Sequence, residues 1–404
     1  MRELMHLLKK KTVRILLLPL CVLPIKRNRL VLNNGLSHNY SDNPKAVAEC
    51  LIRKHPGEFE IIFAVDDPEQ HRFLEERGIR CVRFHSPVYF YYAVTAAVYL
   101  TNNGGYSYLP RRKGQLVIET WHGGGAYKRC GLCEYRNKRI GRCEMRMAAG
   151  NLDIFLSTSK RATAIYSENF LLPHDTFWEI GMPRNDGLVH ADPAAREAIR
   201  RRLGISGKDK LVLFAPTFRR PDGGYTEAPA SISYGIDSAR VCAALGKRFT
   251  GTWRFAFRFH PGIRDRGGLP EGSVANVSDY EDMQELLLAA DVLITDFSSS
   301  MWDFMLTGRP CFLFMPDFEC CEREVGFFSP PSEWPFSMAR SNEELERDIL
   351  DFNESGYAKS CAAHYAALGG CETGRAAELI CQRIYKWLVN VTDCILSRSR
   401  DMQN

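Results

Sequence analysis

The most constraining feature of this chain is an alternation between short apolar, β-branched runs and longer stretches with helical amphipathic spacing. The apolar runs predict strands at Arg29–Leu32, Glu60–Val65, Val98–Thr101, Leu116–Glu119, Ile154–Ser157, Leu211–Phe214, Arg254–Arg258, Val292–Thr295 and Pro310–Phe314. The stretches between them predict helices at Pro44–Lys54, Pro68–Arg77, Arg161–Asn169, Pro193–Leu203 and Met283–Ala290. Such alternation is typical of βαβ units, which build parallel sheets with right-handed crossovers.

Both halves of the chain show this alternation, and the turn-rich segment Gly181–Asp192 separates them. A length of 404 residues suits two domains. We therefore predict two doubly wound, parallel-sheet α/β domains, over residues 29–187 and 188–373. A basic and apolar segment precedes them at 1–28, and a helix with a tail follows at 374–404. Ligands of such sheets bind outside the carboxyl ends of the strands, so we expect the site in the cleft between two facing domains.

The charge of the chain is unevenly distributed. The total is only +5, which is too mild to indicate nucleic acid as a partner. Residues 1–150, however, hold 25 basic and 13 acidic residues, a net +12, so the remainder carries −7. Segments 1–29 and 111–146 each carry +7. This asymmetry predicts either an anionic partner for the first half or a solvated basic surface.

The N-terminal segment has two interpretations. Its apolar run Ile15–Ile25 is too short to span a membrane, and no cleavage site follows it. We therefore expect a cytosolic chain whose 14 cysteines are reduced. Either residues 1–25 lie in a membrane interface, with Lys9, Lys10, Lys11 and Arg14 facing anionic headgroups, or they form a helix packed on their own domain.

The first motif that can carry chemistry is Thr120-Trp121-His122-Gly123-Gly124-Gly125, directly after a predicted strand. Three glycines let the backbone approach a ligand closely and offer N–H groups to an anion. Histidine has an unperturbed pKa of about 6.5, which suits proton transfer at neutral pH. The alternative is a loop histidine beside glycines that make a tight turn.

Two further motifs follow strands in the second half. Ala215-Pro216-Thr217-Phe218-Arg219-Arg220 places a hydroxyl and two guanidinium groups at a strand exit, as in phosphate sites, although arginine pairs are also common on surface loops. In Phe257-Arg258-Phe259-His260-Pro261, Arg258 and His260 share one face of an extended chain.

The last two motifs complete the set. In Leu293–Phe304 a strand ends at Asp296, and Ser298-Ser299-Ser300 then opens a helix that contains Asp303. The serines predict a phosphate site or, for Ser299, a plain helix cap. Gly181–Asp186 offers Arg184 at the domain join, or is a linker turn. Taken together, these strand exits predict an anion site suited to a diphosphate and to phosphoryl transfer.

These strings, in this order, resemble the CDP-glycerol glycerophosphotransferase family of teichoic acid and related poly(glycerol phosphate) synthesis. The resemblance runs from Arg29 to Phe318 and includes Asn43-Pro44-Lys45 and Lys113-Gly114-Gln115. It implies the GT-B architecture, two facing Rossmann-like domains with the active site between them. It also implies that CDP-glycerol is the donor, that a lipid-linked glycan or poly(glycerol phosphate) is the acceptor, and that CMP is released.

The resemblance further implies a role for each matching residue. His122 is expected to deprotonate the acceptor hydroxyl, and His260 to stabilise charge on the donor diphosphate. Arg184, Pro216 and Thr217 are expected to contact the donor, and Ser298 and Ser299 to bind its phosphates. Arg258 stands beside His260, and Asp303 is expected to hold the nucleotide or glycerol side of the donor. The remaining substrate-binding residues lie beside His122 and are Trp121, Gly123, Gly124 and Gly125.

Two departures from the family pattern stand out. Gly124-Gly125 replaces the usual Thr-Pro, which is expected to loosen the loop beside His122, and Arg220 replaces an Asp. The long extra region of some polymerising members is absent, so single addition is as plausible as polymerisation. The alternatives are a GT-B transferase with another donor, such as CDP-ribitol or a nucleotide sugar, and a non-catalytic protein that binds an anionic polymer.

The remaining expectations concern location and metals. A lipid-linked acceptor implies a peripheral protein on the cytoplasmic face of the cell membrane. No divalent-metal motif is evident and no motif requires a cofactor, and the need for a divalent cation at the diphosphate is left open. Cys130, Cys133 and Cys143 are three soft ligands within the second basic segment, so they are either free thiols or part of a zinc site with a ligand from elsewhere. The sequence does not indicate an oligomeric state.

Overall fold

The structure is a computed structural model that describes residues 2–205, 207–217, 235–259 and 274–401, with side chains as far as residue 389. It divides into two compact units. The first unit holds residues 1–122, 130–186 and 371–404, and the second holds 123–129 and 187–370.

Within the described residues, thirteen strands form two sheets, one in each unit. The strands are β1 Lys26–Asn33, β2 Glu60–Val65, β3 Ile79–Arg83, β4 Ala96–Thr101, β5 Leu116–Glu119, β6 Ile154–Ser157, β7 Phe177–Glu179, β8 Asp209–Phe214, β9 Thr252–Phe257, β10 Val274–Asn276, β11 Val292–Thr295, β12 Cys311–Phe314 and β13 Ser337–Ala339.

The helices between and beside these strands begin mostly at Ser, Asn or Asp side chains that accept hydrogen bonds from free N–H groups of the first turn. They are α1 Arg2–Leu17, α2 Asp42–Lys54, α3 Pro87–Thr95, α4 Lys138–Ala149, α5 Lys160–Phe170, α6 Asp186–His190, α7 Pro193–Arg202, α8 Ser238–Phe249, α9 Met283–Ala289, α10 Ser300–Met305, α11 Phe318–Glu324, α12 Asn342–Leu350, α13 Glu354–Ala367 and α14 Ala376–Asp401.

The sheet of the first unit has the order β3-β2-β1-β4-β5-β6-β7, and all of its pairs are parallel. The order reverses between β1 and β4, which makes the carboxyl ends of these two strands the expected ligand position. Helix α14 belongs to this unit, where Ile380 and Ile384 join the core formed by the strands.

The sheet of the second unit has the order β10-β9-β8-β11-β12-β13, again with all pairs parallel. Along β8, Leu211 and Leu213 join one apolar core and Val212 and Phe214 the other. Both faces of this sheet are therefore covered, as in a doubly wound fold. Its order reverses between β8 and β11.

All nine predicted strands are present, with ends that differ by a few residues. Sequence analysis missed β3, β7, β10 and β13, which are short strands at or near sheet edges. The predicted helix Pro68–Arg77 is instead a 3₁₀ segment over Glu69–Arg77, because His71 departs from helical backbone angles.

Candidate active site

Trp121 and His122 follow β5 directly, and the buried carboxyl group of Glu119 holds the backbone there. One oxygen of Glu119 accepts a hydrogen bond from the Trp121 N–H at 2.8 Å, and the other accepts from the Gly104 N–H at 2.7 Å. Trp121 has a φ of +56°, a conformation that costs a bulky residue energy and is concentrated at functional sites. Burial raises the pKa of Glu119 to about 8.

The imidazole of His122 has its tautomer set by the backbone. Its Nδ1 lies 2.8 Å from the carbonyl oxygen of Asn102. Because a carbonyl only accepts, Nδ1 carries the proton, and the neutral ring keeps its lone pair on Nε2. The ring is half-buried and packs on the indole of Trp121 with 4.3 Å between centroids. This arrangement suits a general base.

Arg184 is a buried residue whose side chain holds the main chain of His122. Its Nη2 donates to the carbonyl oxygen of His122 at 2.7 Å, and its Nη1 donates to Asp42 at 2.8 Å. Asn43 links the two segments, since its amide donates to the Trp121 carbonyl and accepts from the Arg184 N–H. Arg184 therefore positions the main chain of His122, and the donor contact expected for it stays a prediction.

The glycine loop is tightly packed, so the expectation that Gly124-Gly125 loosens it is wrong. A Cβ on Gly124 would lie 2.1 Å from the Trp302 indole, and one on Gly125 would lie 2.3 Å from the Tyr127 ring. The loop Gly123–Arg129 is further tied to its unit by hydrogen bonds from the Arg129 and Phe328 N–H groups. Glycine is required here because aromatic rings occupy the space of a side chain.

Gly124→Ala is accordingly expected to destabilise the second unit by about 1–3 kcal/mol, the usual cost of overpacking. Thermal unfolding followed by circular dichroism measures this change. Gly187→Ala is the matched control, because nothing lies within 4 Å of a Cβ there and alanine favours helix. Equal melting temperatures for the two variants would contradict the packing described for Gly124.

The donor-side residues of the second unit meet where its strand order reverses. Thr217 follows β8 and Asp296 follows β11, and they are joined by hydrogen bonds from the Thr217 N–H at 2.9 Å and hydroxyl at 2.5 Å to one carboxylate oxygen. Pro216 precedes Thr217 in the same segment. Parallel strands thus bring two of the sequence motifs together at the predicted edge.

The serine run lies beside this junction. Ser298 and Ser299 are half-exposed, and the Ser298 hydroxyl accepts from the Ser300 N–H and hydroxyl at 3.3 and 3.0 Å. Ser299 makes no side-chain capping bond, so it is not the plain helix cap of the alternative interpretation. Asp303 is buried on α10 and accepts from the Gln284 amide at 2.9 Å.

Arg258 leaves β9 as a buried cation whose hydrogen bonding is incomplete. Its Nη2 donates to the Glu281 carbonyl at 3.3 Å, whereas its buried Nη1 has no hydrogen-bond partner among the described residues. Burial lowers the pKa of Arg258 to about 10, against the opposing effect of Asp282, so the guanidinium is still charged at neutral pH. A buried, charged N–H group of this kind is satisfied by an anionic ligand.

Two of the predicted motifs are only partly covered by the described residues, and several residues of the site were not predicted. His260 and Pro261, and the Phe218-Arg219-Arg220 end of its motif, lie outside the described residues. Sequence analysis missed Asp42, Asn102, Glu119 and Gln284 as site residues. Asn43 was quoted only as part of a family string, and that string is the one signal that pointed to it.

No group of three or more His, Cys, Asp or Glu side chains within the described ranges could hold a metal ion. Cys133, the exposed member of the predicted cysteine trio, donates to the Asn169 side chain at 2.8 Å.

A family model for CDP-glycerol:poly(glycerophosphate) glycerophosphotransferase matches residues 16–386. The chain belongs to this family. The predicted resemblance is therefore confirmed, and the enzyme class is confirmed at the level of the family.

Individual relatives agree with this assignment. The chain is 27% identical over 390 residues to a teichoic acid poly(glycerol phosphate) polymerase of Bacillus subtilis, covering 93% of this chain and 51% of that protein. It is 27% identical over 372 residues to a teichoic acid glycerol-phosphate transferase of Staphylococcus aureus, covering 89% and 93%. The chain thus spans about half the length of the first relative and nearly all of the second.

Among solved structures, the wall teichoic acid polymerase TagF matches with a TM-score of 0.81 and 23% identity, covering 97% of this chain and 98% of that one. A likeness at this identity shows the fold. Together with the two parallel sheets it confirms the predicted GT-B-like pair of α/β domains.

Proposed function

We propose that the chain transfers glycerol phosphate from CDP-glycerol to a hydroxyl of a membrane-associated glycan or poly(glycerol phosphate) acceptor, with release of CMP. The observation that carries the proposal is the geometry of His122, whose Nδ1 is committed to a backbone carbonyl so that Nε2 is the basic nitrogen. Membership of a glycerophosphotransferase family supports glycerol-phosphate transfer as the reaction in which this base acts.

The proposed step is an in-line displacement at the β-phosphorus. The acceptor oxygen forms a bond to this phosphorus while its proton passes to Nε2 of His122. The bond from the β-phosphorus to the bridging oxygen breaks, and CMP leaves with both electrons. Catalysis comes from positioning, proton removal and charge neutralisation.

The donor is assigned to groups of the second unit. Arg258 supplies an unsatisfied charged N–H to the diphosphate, and the half-exposed Ser298 and Ser299 supply side-chain hydroxyls. Thr217 and Pro216 are proposed to contact the donor beside them, and Asp303 to hold its nucleotide or glycerol. Since α10 has six residues, the proposal depends on these side chains and not on a helix dipole. His260 keeps its predicted role on the diphosphate.

Incubation with CDP-glycerol, CDP-ribitol or a nucleotide sugar, each with bacterial membranes, tests the choice of donor. We expect nucleotide release from CDP-glycerol to exceed that from the others. The ribitol-phosphate primase of Bacillus spizizenii is 24% identical to this chain, compared with 27% for the glycerol-phosphate relatives, so CDP-ribitol is the less favoured donor. Preferential use of CDP-ribitol would overturn the donor assignment.

The proposed membrane contact is the outer face of α1. Sequence analysis left open whether this segment packs on its own domain, and it does: Glu3, Lys10 and Arg14 contact α4 or the segments beside it. The opposite face exposes large apolar side chains, namely Leu4, Met5, Leu8, Ile15 and Leu16, and Leu18 is exposed directly after the helix. Lys9 and Lys11 are exposed nearby, so the face combines apolar area with positive charge, which is the composition of an interfacial helix.

None of the helices in the described ranges is long and apolar enough to cross a membrane. We propose that the chain attaches peripherally, on the cytoplasmic face of the membrane.

Leu16→Glu is expected to weaken binding to anionic vesicles by roughly tenfold or more, because burying a leucine contributes about 1.5–3 kcal/mol. Flotation with phosphatidylglycerol vesicles measures the bound fraction. Ala363→Glu is the matched control, since Ala363 is exposed on α13 of the second unit and the charge change is the same. Equal losses in the two variants would mean that charge alone matters and would refute the apolar contact.

A further inference from the structure

A cavity of about 360 Å³ opens in the first unit, beside the candidate base. It lies where the strand order of the sheet reverses, because its walls include Gly35 after β1 and Asn103, Gly104 and Gly105 after β4. Its volume is within the range of small-molecule sites, about 300–1,000 Å³. A doubly wound sheet binds its ligand at this position.

The cavity is joined to His122 through two residues. Trp121 forms part of its wall and also packs on the His122 ring. Asn103, another wall residue, directly follows Asn102, whose carbonyl accepts the His122 Nδ1–H. A molecule in the cavity would therefore lie beside the segment that carries His122, although His122 is not itself a wall residue.

The walls combine aromatic faces with hydrogen-bonding groups. Phe84, Tyr106, Trp121 and Phe170 supply the rings, and His38, His85, Ser107 and Tyr108 supply polar atoms. Flat apolar rings beside fixed donors and acceptors match a saccharide, which has C–H faces and a rim of hydroxyls.

The polar wall is held rigid by a chain of hydroxyl groups. His85 Nε2 is 3.0 Å from the Tyr108 hydroxyl. The Tyr89 hydroxyl lies between two others, 2.9 Å from that of Tyr108 and 2.8 Å from that of Tyr99. Trp121, His38 and His85 all have positive φ, at +56°, +51° and +58°. Residues in such strained conformations are held by the surrounding structure and are concentrated at binding and active sites.

The charges of the cavity favour a neutral ligand over a phosphate chain. His6 and Lys10 share Glu144 as their anionic partner, and His38 lies 3.3 Å from a carboxylate oxygen of Asp66. Burial and the nearby His38 lower the pKa of His85, which keeps it neutral at pH 7. Glu119 is also a wall residue, and because burial raises its pKa to about 8, its carboxyl group is mostly protonated at pH 7 and adds little charge to the cavity. A prenyl chain would leave the hydrogen-bonding groups of the wall unpaired.

We propose that this cavity binds a neutral saccharide unit of the acceptor and presents one of its hydroxyls toward His122. This inference rests on the proposed function, whose acceptor it specifies as a sugar at the reacting end. The anionic and lipid parts of the acceptor then lie outside the cavity.

The test is to fill the cavity by substitution and to measure sugar binding in the absence of the donor. Methyl glycosides of hexoses and N-acetylhexosamines are titrated into the protein, with tryptophan fluorescence and saturation-transfer NMR as readouts. Ala148 on α4 lines the cavity, so Ala148→Phe should weaken glycoside binding at least tenfold. Ala362→Phe on the exposed surface of α13 is the control and should leave binding unchanged.

Ala148→Leu, a smaller filling of the same space, keeps the test valid should the phenylalanine impair folding. A glycoside affinity that both cavity variants retain would overturn the inference. Oligomers of glycerol phosphate and farnesyl phosphate are titrated in parallel. The inference would also be overturned if the substitutions weakened binding of one of these ligands instead of the glycosides. Failure of the proposed function is separate, since it shows as absent CMP release by the unaltered protein with every acceptor.

Discussion

His122→Ala is expected to lower the rate of glycerol-phosphate transfer by about 10²–10⁴-fold, the usual contribution of a positioned general base. The reason is that Nδ1 of His122 is committed to the Asn102 carbonyl, which leaves Nε2 as the nitrogen that receives the acceptor proton. Affinity for CDP-glycerol should be unchanged, because the donor is assigned to side chains of the second unit. Turnover of radiolabelled CDP-glycerol and calorimetric binding measure the two quantities.

His174→Ala is the matched control, since His174 is an exposed histidine of the same unit. It should retain full activity. Normal turnover in His122→Ala would exclude this residue as the base, and loss of donor binding in the same variant would place His122 on the donor instead.

Arg258→Met is expected to weaken CDP-glycerol binding by about 10- to 150-fold, because a hydrogen bond to a charged group is worth about 1.5–3 kcal/mol. The same variant should melt at the temperature of the unaltered protein or above it. Without ligand, the Nη1 of Arg258 is buried and unsatisfied among the described residues, so an apolar side chain of similar length removes a cost.

Thermal unfolding with and without CDP-glycerol measures both effects at once. Arg323→Met is the control, because the Arg323 side chain is 70% exposed in the same unit. The donor should raise the melting temperature of the control and of the unaltered protein more than that of Arg258→Met. A variant that unfolds early, or one that the donor still stabilises fully, would show that Arg258 is a structural residue.

The fold was predictable because it depends on local patterns. Buried parallel strands are continuous apolar runs, and Leu211–Phe214 or Val292–Thr295 can be found without knowledge of their neighbours. Three of the missed strands lack this signal: β7, β10 and β13 have three residues each, and each is an edge strand stabilised by pairing with the strand before it.

The strand-end motifs were also predictable, since parallel strands bring their carboxyl ends to one edge of a sheet. The contacts that position them were not. Asn43 bonds to Trp121 and Arg184, which are 78 and 141 positions away, and no spacing rule connects such residues. Gly124 shows the same limit, because its requirement for glycine comes from the indole of Trp302. The cavity likewise draws its walls from α1, α4 and the strand ends together.

The most direct test of the central claim is the mass of the product formed from CDP-glycerol and a panel of lipid-linked saccharide acceptors. The proposed reaction predicts CMP in equimolar amount to an acceptor whose mass has grown by one or more glycerol phosphate units. Release of CMP with water alone, or growth of the acceptor by a sugar from another nucleotide donor, would contradict glycerol-phosphate transfer as the function of this chain.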